Sequence, residues 1–509
     1  MASSSSPLVP SLAPLQSPSS SSSPSHSPFS PPSSILIIGA GVFGLGTALA
    51  LARRHEFSQC SITIVDRSDP AQPGLFPARD AASIDSSRII RADYPDAAYA
   101  ALAAEAQAQW RKQANPSDLG AQGRYHESGL LLVADGVPPP ANAPPAAAAA
   151  IDKAKLTGMD YARLSWANVL SLASDDHELA NHIRELPDAA AIREAARTGG
   201  GGSGTWGYIN HGSGWADATA SMAWLFDQVQ QTGRITFVAG TANRLERSGS
   251  TVTGARLADG RVLSADLVVL AAGAWTGGLL DISGRAIATG QVLGYLEITQ
   301  DEQDQLSKMP VILNLTTGLF VIPPSNGILK VARHAYGYAN PETLDTEPLP
   351  LSPLSPPSTH GVSLPRTHMS DPTSSIPPEG AEDLRRALHE MVPLPGLPDR
   401  PFIKTRLCWY QDTPTADFIV DYHPEWQGLF VATGDSGHGF KFLPVLGEKI
   451  ADCIMGNCPS AFKDKWAWKH VSGETLEKGS VVTEDGSRGG LRRLVLQEEL
   501  GKATAPQTA

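Results

Sequence analysis

The first part of the chain combines an unbroken apolar run with a helical pattern. Residues 34–54, SILIIGAGVFGLGTALALARR, predict a buried strand, a glycine turn and an Ala/Leu-rich helix. SITIVDRS, which contains Asp66, predicts a second buried strand. Residues 94–114 carry apolar side chains at helical spacing and predict another helix. A strand, a helix and a strand in succession are typical of an α/β unit with a parallel sheet.

The later part of the chain is richer in short strand patterns. RITFVAG, TVTGARLADG and RVLSADLVVLAAGAW each predict a strand, and they follow a predicted helix in GSGWADATASMAWLFDQVQQTG. Residues 290–335 repeat the strand pattern, and this half of the chain therefore predicts an antiparallel sheet. A helix is predicted at residues 379–391, and residues 405–455 predict strand, loop, strand, glycine-rich turn and helix.

Low-complexity segments interrupt these patterns. Residues 1–33 are mostly Ser and Pro and predict a disordered tail, because they hold too few apolar residues for a core. The Pro/Ala-rich residues 136–150 predict a surface insertion, and the glycines at residues 199–204 predict a flexible loop. Residues 343–378, rich in Pro, Ser and Thr, predict a long exposed loop. The segment beyond Cys458 is charged and irregular.

Composition limits the class of protein further. A chain of 509 residues, 41% of them hydrophobic, is long enough for a large core and for more than one domain. The net charge is −12 and no basic patch is visible, which argues against a nucleic-acid partner. No run of about 18 apolar residues is present, and we therefore expect no membrane-spanning helix.

The termini and the cysteines carry no targeting, metal or disulfide pattern. Residues 1–33 lack the basic and apolar regions of a signal peptide, and the final residues, APQTA, are not a peroxisomal tripeptide. The four cysteines have neither metal-site nor disulfide-framework spacing. We therefore expect no metal, a reduced compartment and, by default, a cytoplasmic location.

The glycines of the first turn carry the clearest chemistry. Gly39, Gly41 and Gly44 form a GxGxxG pattern between an apolar strand and a helix. In this pattern the first glycine makes the tight turn, the second lets the backbone approach a pyrophosphate, and the third lets helix and strand pack closely. The free N–H groups of the helix N-terminus then face the phosphates. Asp66, at the end of the next strand, is placed to bind a ribose hydroxyl, and together these features predict a dinucleotide site.

Two later glycine turns favour FAD over NAD. ADLVVLAAGAWTGGLL is similar to the second flavin motif, in which a strand and a small-residue turn pack against the first glycine turn, Gly39–Gly44, which we call the first cradle. TGDSGHGFKF, residues 433–442, predicts a further contact that brings a helix N-terminus close to the flavin ring. A positive helix end there stabilises the negative charge of a reduced flavin. The first turn thus predicts the phosphate site, and the late turn predicts the site of the redox-active ring.

With these motifs in place, the chain resembles the FAD-dependent amine oxidases of the D-amino-acid-oxidase superfamily. The resemblance runs from Ser34 to Met455 and is carried by GAGVFGLGTALALARR, SSRIIRADY, LAAGAW, RLCWYQDTPTADFIVDYHP and GDSGHGFKFLPVLGE. The members that the chain resembles most are monomeric sarcosine oxidase, fungal L-pipecolate and L-saccharopine oxidases, and fructosyl amino acid oxidases (amadoriases). The resemblance implies an α/β protein with a Rossmann-type FAD-binding domain and a second α+β substrate domain on a mostly antiparallel sheet.

This resemblance also suggests domain boundaries. We expect a discontinuous FAD-binding domain, a substrate domain with Pro-rich insertions, and a C-terminal tail at residues 459–509. The FAD-binding segments are residues 34–110, 205–290 and 400–458, and the substrate segments are residues 111–204 and 291–399.

The resemblance implies particular roles for Cys408 and Lys330. Cys408, in RLCWY, matches the cysteine that bonds the 8α-methyl group of the flavin, and a buried structural cysteine is the alternative. Lys330, in GILKVARH, matches the lysine that holds a water near flavin N5 and promotes the reaction with O2. A cation there stabilises developing negative charge, which favours a peroxide-producing oxidase over a dehydrogenase. A solvated strand lysine is the alternative for Lys330.

Basic and aromatic residues complete the implied site. Arg91 and Lys441 match the pair that binds the substrate carboxylate in sarcosine oxidase, and a planar guanidinium suits a carboxylate through two bonds. Without the family these residues would be ordinary surface charges, and no carboxylate base is evident. The implied catalytic residues are Lys330, Arg88, His334 and Tyr410. The implied cofactor contacts are Gly39, Gly41, Val42, Phe43, Gly44, Asp66, Arg67, Ser87, Arg88, Val238, Ala272, Gly273, Trp275, Cys408, Asp435, Ser436, Gly437, His438, Gly439 and Lys441.

Differences from the amadoriases favour a compact substrate. Amadoriases have an Asn-Lys pair where this chain has Ser86, Ser87 and Arg88, and they have no arginine at the position of Arg91. They have a sugar-binding glutamate at the position of His334. The implied substrate is therefore a secondary amino acid such as L-pipecolate, L-saccharopine or an N-methyl amino acid.

The sequence thus predicts an FAD-dependent oxidase that converts the C–N bond of a secondary amino acid to an imine and reduces O2 to H2O2. The expected partners are the small amino acid and O2, the expected flavin link is through Cys408, and a monomer is expected. Tailoring of an amino-acid-derived natural product is a further hypothesis, suggested by the Pro-rich insertions. Two alternatives stay open: a deglycating fructosyl amino acid oxidase, and an FAD-dependent dehydrogenase or flavoprotein subunit.

Overall fold

Two large sheets, of six and ten strands, contain most of the strands. The computed structural model describes residues 29–72, 76, 78–137, 156–174, 177–335, 337–356, 361–469 and 494–502. The strands are β1 Ser34–Ile38, β2 Ser61–Asp66, β3 Arg88–Ile90, β4 Tyr125–His126, β5 Leu130–Ala134, β6 Ile183–Leu186, β7 Trp206–Asn210, β8 Gly214–Ala216, β9 Ile235–Ala239, β10 Ala242–Ser248, β11 Thr251–Leu257, β12 Val262–Ser264, β13 Leu267–Leu270, β14 Ile287–Glu297, β15 Val311–Asn314, β16 Leu319–Ser325, β17 Ile328–Arg333, β18 Tyr338–Ala339, β19 Pro341–Glu342, β20 Val362–Ser363, β21 Lys404–Asp412, β22 Ile419–Tyr422, β23 Leu429–Thr433 and β24 Leu494–Val495.

Helices cover or connect these strands. The helices are α1 Val42–Arg53, α2 Ala97–Trp110, α3 Gly158–Leu172, α4 His177–Asn181, α5 Ala189–Ala196, α6 Ala218–Gln231, α7 Gln300–Leu306, α8 Pro378–Met391, α9 Leu446–Ile454, α10 Lys463–Trp466 and α11 Leu496–Gly501. Short segments of 3-10 helix occur at His55–Phe57, Gly273–Gly278 and Gly439–Phe442. In the part of the chain that the structure describes, no helix is both long enough and apolar enough to cross a bilayer.

The first large sheet is the predicted nucleotide-binding unit. Its six strands have the order β22-β23-β13-β1-β2-β9, and all neighbours are parallel except β22 and β23. Helix α1 follows β1 directly and is buried along Val42–Leu51, because it is apolar on every side and packs against both α6 and α9. All six strands come from segments predicted for the FAD-binding domain.

The second large sheet is mostly antiparallel. It has ten strands in the order β24-β18-β14-β17-β16-β15-β5-β7-β6, with β21 paired to β14. The central strand β14 lies between β17 and β21, and its Tyr295 is opposite Lys330 while its Gln291 is opposite Cys408. Predicted site residues are therefore gathered on adjacent strands. The predicted α/β fold class is confirmed, and the domain boundaries stay a prediction. Strands β7 and β21 belong to this second sheet, although their residues fall in segments that were predicted for the FAD-binding domain.

A helix within residues 290–335 was not predicted. Helix α7 begins after Thr299, whose hydroxyl accepts from the Glu302 N–H while the Glu302 carboxylate accepts from the Thr299 N–H. The sequence TQDE carries this capping-box signal, and the strand pattern on both sides of it obscured the signal.

Segments predicted to be irregular are partly packed. In residues 343–378, β20 pairs with β19, and both Leu349 and Thr367 are buried, so this segment is not the long exposed loop that its composition indicates. Gly201, in the predicted flexible loop, is buried against the end of α8. Beyond Cys458, Trp466 is fully buried and β24 joins the second sheet. Most of the predicted N-terminal tail (residues 1–28) and of the Pro/Ala-rich insertion (residues 138–150) lies outside the described residues.

Candidate active site

One cavity connects the early and late glycine turns. It has a volume of about 390 Å³, and its wall includes the first cradle, the turn after β13, Tyr410 and the late turn. Both turns therefore face the same space, as the sequence predicts for the two ends of one cofactor. The predicted site residues on its wall are Gly39, Gly41, Val42, Phe43, Asp66, Arg67, Arg88, Ala272, Gly273, Trp275, Tyr410, Asp435, Gly437 and Gly439.

The first glycine turn leaves open space where a phosphate is expected. Gly39 has a φ of +105°, a conformation that glycine adopts readily. A β-carbon at Gly39 would collide with the carbonyl oxygen of Ala271, and one at Gly44 would collide with that of Gly39, so packing of the chain requires these two glycines. A β-carbon at Gly41 would meet no described atom within 4 Å. Gly41 is thus explained by a ligand that approaches the backbone, which fits a dinucleotide.

Asp66 and Arg67 shape the adjacent wall. The Asp66 carboxylate accepts from the Ala40 N–H at 2.8 Å and so ties the cradle to the end of β2. Arg67 lies 3.8 Å from the centre of the Trp275 ring and pairs with Asp80 at 2.6 Å. These contacts join the first cradle to the turn after β13, and the binding of a ribose hydroxyl by Asp66 stays a prediction.

Sequence reasoning missed a part of the wall that comes from the Pro/Ser/Thr-rich segment. Residues 344–346 and Leu364 line the cavity. The Trp409 indole N–H donates to the Arg366 carbonyl at 2.9 Å, which anchors this segment to β21. Composition alone gives no signal for such packing, because it does not show which distant groups the segment contacts.

The late glycine turn packs against two predicted catalytic side chains. A β-carbon at Gly437, which has a φ of +75°, would lie 2.5 Å from the Tyr410 ring and 2.7 Å from the His334 ring. The two rings are themselves in edge contact, with centroids 5.7 Å apart. The turn continues into one 3-10 turn at Gly439–Phe442, and α9 starts only at Leu446. The expected helix N-terminus at the cavity is therefore a single short turn.

His438 supports the late turn from behind. Its Nε2 lies 2.8 Å from the Ala416 carbonyl, which can only accept, so Nε2 carries the hydrogen and Nδ1 accepts from the Tyr94 hydroxyl at 3.1 Å. The ring stacks on Phe418 with centroids 4.7 Å apart. The Ser436 hydroxyl similarly accepts from the N–H that follows β21. Neither side chain lines the cavity.

Asp435 supplies the carboxylate of this turn. Its carboxylate accepts from the N–H groups of Gln411 at 3.1 Å and Gly437 at 3.2 Å, which holds the turn against β21. Burial raises the pKa of Asp435 to about 6.

Lys330 lies in a buried ion cluster that sequence reasoning did not foresee. Its ammonium donates to the Ser87 carbonyl at 2.8 Å and pairs with the Asp85 carboxylate at 2.7 Å. The Arg88 guanidinium pairs with the same carboxylate. Burial lowers the pKa of Lys330 to about 8, with Asp85 acting in the opposite direction. Asp85 is a buried carboxylate beside the site, although none was expected, and nothing in IDSSR distinguishes it from a turn residue.

Arg88 connects this cluster to Cys408. Cys408 is fully buried, and its sulfur accepts from the Arg88 guanidinium at 3.4 Å. Arg88 itself lies on the cavity wall, whereas Cys408 does not. The predicted thioether residue is therefore one side chain away from the cavity.

Arg91 and Lys441 meet at Tyr94. The Arg91 guanidinium lies 4.8 Å and the Lys441 ammonium 5.0 Å from the centre of the Tyr94 ring. Lys441 also donates to the Tyr94 hydroxyl at 2.7 Å. Both cations are buried, at 3% and 5% exposure. The structure thus brings the predicted carboxylate-binding pair together, and Tyr94 is an aromatic partner that the sequence did not single out.

Several predicted residues lie near the cavity wall without forming part of it. Val238, for example, lies on β9 opposite Val65, and the wall on that side is formed by residues 240–243. The predicted residues outside the wall are Gly44, Ser87, Arg91, Val238, Lys330, His334, Cys408, Ser436, His438 and Lys441.

Comparison with known proteins identifies the family. The profile described as "DAO: FAD dependent oxidoreductase" matches residues 34–453. The chain belongs to this family. The resemblance inferred from the glycine turns is thereby confirmed, and the protein is an FAD-dependent oxidoreductase whose glycine cradle fits that cofactor.

Members of the DAO family match over nearly the whole chain. The amino acid oxidase imqH of Aspergillus flavus is 33% identical over 88% of this chain and 99% of that protein. The L-saccharopine oxidase of Schizosaccharomyces pombe is 30% identical over 86% of this chain and 93% of that protein. Among solved structures, the fructosyl amine:oxygen oxidoreductase (amadoriase I) of Aspergillus fumigatus has a TM-score of 0.69 and 27% identity, over 92% of this chain and 96% of that one.

Proposed function

We propose that this DAO-family protein is an oxidase of secondary amino acids, of the L-pipecolate, L-saccharopine or N-methyl amino acid type. The substrate C–N bond loses two electrons and two protons to become an imine, and O2 gains them to become H2O2. When bound, the flavin supplies the two-electron chemistry that links these half-reactions. The amino acid oxidase and L-saccharopine oxidase among the relatives support this substrate class.

The observation that carries the proposal is the pair of buried cations at Tyr94. A carboxylate needs opposite charge and several donors when it leaves water, and Arg91 and Lys441 offer both within one small region. Nearby positive charge also favours the neutral form of the substrate amine, which is the form with a free lone pair. In this proposal Arg91 and Lys441 bind the substrate carboxylate, and His334 and Tyr410 orient the amine.

The remaining proposed roles belong to the ion cluster of Lys330, Asp85 and Arg88 and to the neighbouring Cys408. In the proposal, the Lys330 ammonium stabilises the negative charge that develops as O2 is reduced. Arg88 holds positive charge on the cavity wall and against the Cys408 sulfur. Cys408 would hold the flavin through a thioether, with O2 taking up the two electrons and two protons lost when the thiol joins the flavin methyl group, and the enzyme would act as a monomer on a free amino acid.

A deglycating fructosyl amino acid oxidase is the second candidate. It is favoured by the similarity of the fold to amadoriase I, at a TM-score of 0.69. His334, rather than an acidic side chain, packs beside Tyr410, and this cationic or neutral ring gives sugar hydroxyls no carboxylate to bind.

Anaerobic flavin reduction tests the two candidates directly. Purified protein is mixed with L-pipecolate, L-saccharopine, sarcosine, N-methyl amino acids and a fructosyl amino acid, and bleaching of the visible flavin band is followed. We expect bleaching by secondary amino acids and not by the fructosyl compound. Bleaching by the fructosyl compound alone would refute the proposal and establish the second candidate.

A matched pair of variants tests the carboxylate contacts. Arg91→Met should raise the amino acid concentration needed for half-maximal bleaching by about 10- to 150-fold, because a buried charge-assisted hydrogen bond is lost. The control, Arg386→Met, removes an arginine that is half exposed on α8 and pairs only with carboxylates of that helix among its described contacts. An unchanged concentration dependence in Arg91→Met would remove Arg91 from substrate binding.

A further inference from the structure

The carboxylate of Asp85 is the buried counter-charge of several cations. It pairs with the Lys330 ammonium at 2.7 Å and with the Arg88 guanidinium. The carboxylate is only 2% exposed and the Lys330 side chain 3% exposed. Burial by itself would raise the pKa of Asp85, but Lys330, Arg88 and Arg406 hold it well below its usual value. Asp85 is therefore ionised and, with so low a pKa, is a poor proton acceptor.

The surrounding chain fixes this carboxylate in place. The Tyr295 hydroxyl donates to Asp85 at 2.7 Å, and Tyr295 is directly opposite Lys330 on the paired strands β14 and β17. The Ser86 N–H donates to the same oxygen, also at 2.7 Å. Arg406 donates to the Ile84 carbonyl at 2.7 Å and so clamps the backbone beside Asp85. The Asp85 carboxylate is thus held in place by side chains of strands β14 and β17 and by a backbone N–H of its own loop.

We propose that Asp85 is a positioning residue of the oxidative half-reaction: it keeps the Lys330 ammonium protonated and holds the Arg88 guanidinium at the cavity wall. This inference rests on the proposed oxidase function. Asp85 acts through Lys330 and Arg88 and does not itself touch the substrate. Without its negative charge, two buried cations would face each other with no counter-charge between them.

Loss of the Asp85 charge would change the pKa of Lys330. The charged or titratable groups that face it are Asp85 on the loop before β3, Arg88 at the start of β3, Tyr295 on β14, and Arg406 and Cys408 on β21. Burial has the largest influence on the pKa of Lys330 and lowers it; Asp85 raises it, Arg88 lowers it, and the net pKa is about 8. Removal of Asp85 must therefore lower this pKa again.

Reoxidation of the reduced flavin tests the proposal without any need to know the substrate. The holoenzyme is reduced by light in the presence of EDTA and mixed with O2 in a stopped-flow instrument over a range of pH. In the wild type we expect the rate constant to fall as pH rises through about 8, where Lys330 loses its proton. In Asp85→Asn this alkaline limb should move to lower pH by about 1–3 units.

Two further variants distinguish the loss of the Asp85 charge from a general disturbance of the fold. Asp85→Glu keeps the charge and should restore most of the alkaline limb toward its wild-type position. Asp383→Asn is the control, since it removes a carboxylate 2.6 Å from buried Arg333 on the same strand β17 but leaves Glu379 paired to that arginine at 2.7 Å. An alkaline limb in Asp85→Asn at the wild-type position, or a shift of equal size in Asp383→Asn, would overturn the proposal.

The outcome also distinguishes this inference from the proposed function. A wild-type protein that reacts with O2 no faster than free reduced flavin would refute the oxidase, whereas a fast wild type with an unchanged Asp85→Asn profile would refute only the role of Asp85. If Asp85→Asn yields no folded holoenzyme, the double variant Asp85→Asn, Lys330→Met should fold, because the unbalanced ammonium is gone. A double variant with no higher melting temperature than Asp85→Asn would contradict the charge-balance argument.

Discussion

Alanine at Gly41 should weaken FAD binding while leaving the protein fold unchanged. Gly41 is the residue before α1, with extended backbone angles of φ −81° and ψ −168° that alanine also adopts. A β-carbon there would meet no described atom within 4 Å. The added methyl group would occupy the space through which a pyrophosphate approaches the helix N-terminus.

The expected effect of Gly41→Ala on the free energy of unfolding is smaller than its effect on the free energy of FAD binding. For the free protein, alanine reduces the entropy of the unfolded chain, which stabilises the fold by about 0.4–1 kcal/mol, and it is a poorer helix cap than glycine by about 0.5–1 kcal/mol. These terms oppose each other, so the free energy of unfolding should change by less than about 1 kcal/mol. Loss of one charge-assisted hydrogen bond to a phosphate costs about 1.5–3 kcal/mol, or about 10- to 150-fold in Kd.

The assay uses a background in which the flavin binds reversibly. In Cys408→Ser protein, flavin-free samples with and without Gly41→Ala are titrated with FAD, flavin fluorescence is followed, and melting of the flavin-free samples is compared. Gly46→Ala is the matched control, because it adds a methyl group to the same helix facing Gly447 of α9, 3.4 Å away. A Kd for Gly41→Ala within threefold of its parent, or a loss of stability without FAD, would refute the cradle argument.

Three further predictions concern the chemistry of the site. Lys330→Met should slow flavin reoxidation by O2 by about 10²–10³-fold while anaerobic bleaching persists, and unchanged peroxide production would remove Lys330 from the reaction. Acid precipitation should leave the flavin in the pellet for the wild type and in the supernatant for Cys408→Ser; flavin in the wild-type supernatant would disprove the thioether. The raised pKa of Asp435, about 6, means that folded protein binds more protons than unfolded protein between the ordinary carboxyl pKa and pH 6, so flavin-free wild type should lose stability as pH rises through that window. Asp435→Asn should abolish this loss in melting curves, and an equally pH-dependent variant would show that another group titrates.

The cofactor class could be inferred from the sequence because its signals are local. Gly39, Gly41 and Gly44 lie within six residues of one another, so their spacing can be recognised in the sequence, although the atom that a β-carbon at Gly39 would meet belongs to the distant Ala271. The same holds for the apolar runs of β1 and β2, whose burial follows from their composition. The strand-helix-strand order then determines the parallel pairing of these strands.

The positions of charges could not be inferred in this way. Asp85 and Lys330 are separated by 245 positions in the chain, and Arg91 and Lys441 by 350, so no local pattern relates them. Resemblance to the family indicated Lys330, Arg91 and Lys441 but not Asp85, because IDSSR has the composition of an ordinary turn. The packed Pro/Ser/Thr-rich segment was missed for a similar reason, since its partners, such as Asp80 for the Thr367 hydroxyl, are distant in the chain.

The nucleotide-binding unit, the FAD family and strands such as β1, β2, β9, β11 and β13 can be inferred from the sequence, since each shows a short-range periodicity or glycines at fixed spacing. Folding alone brings Asp85, Arg88 and Lys330 into one buried ion cluster, and it brings Arg91 and Lys441 to Tyr94. The physical reason is that the ionisation of a side chain depends on its burial and on charges within a few ångströms, and both are set by which distant strands the fold brings together.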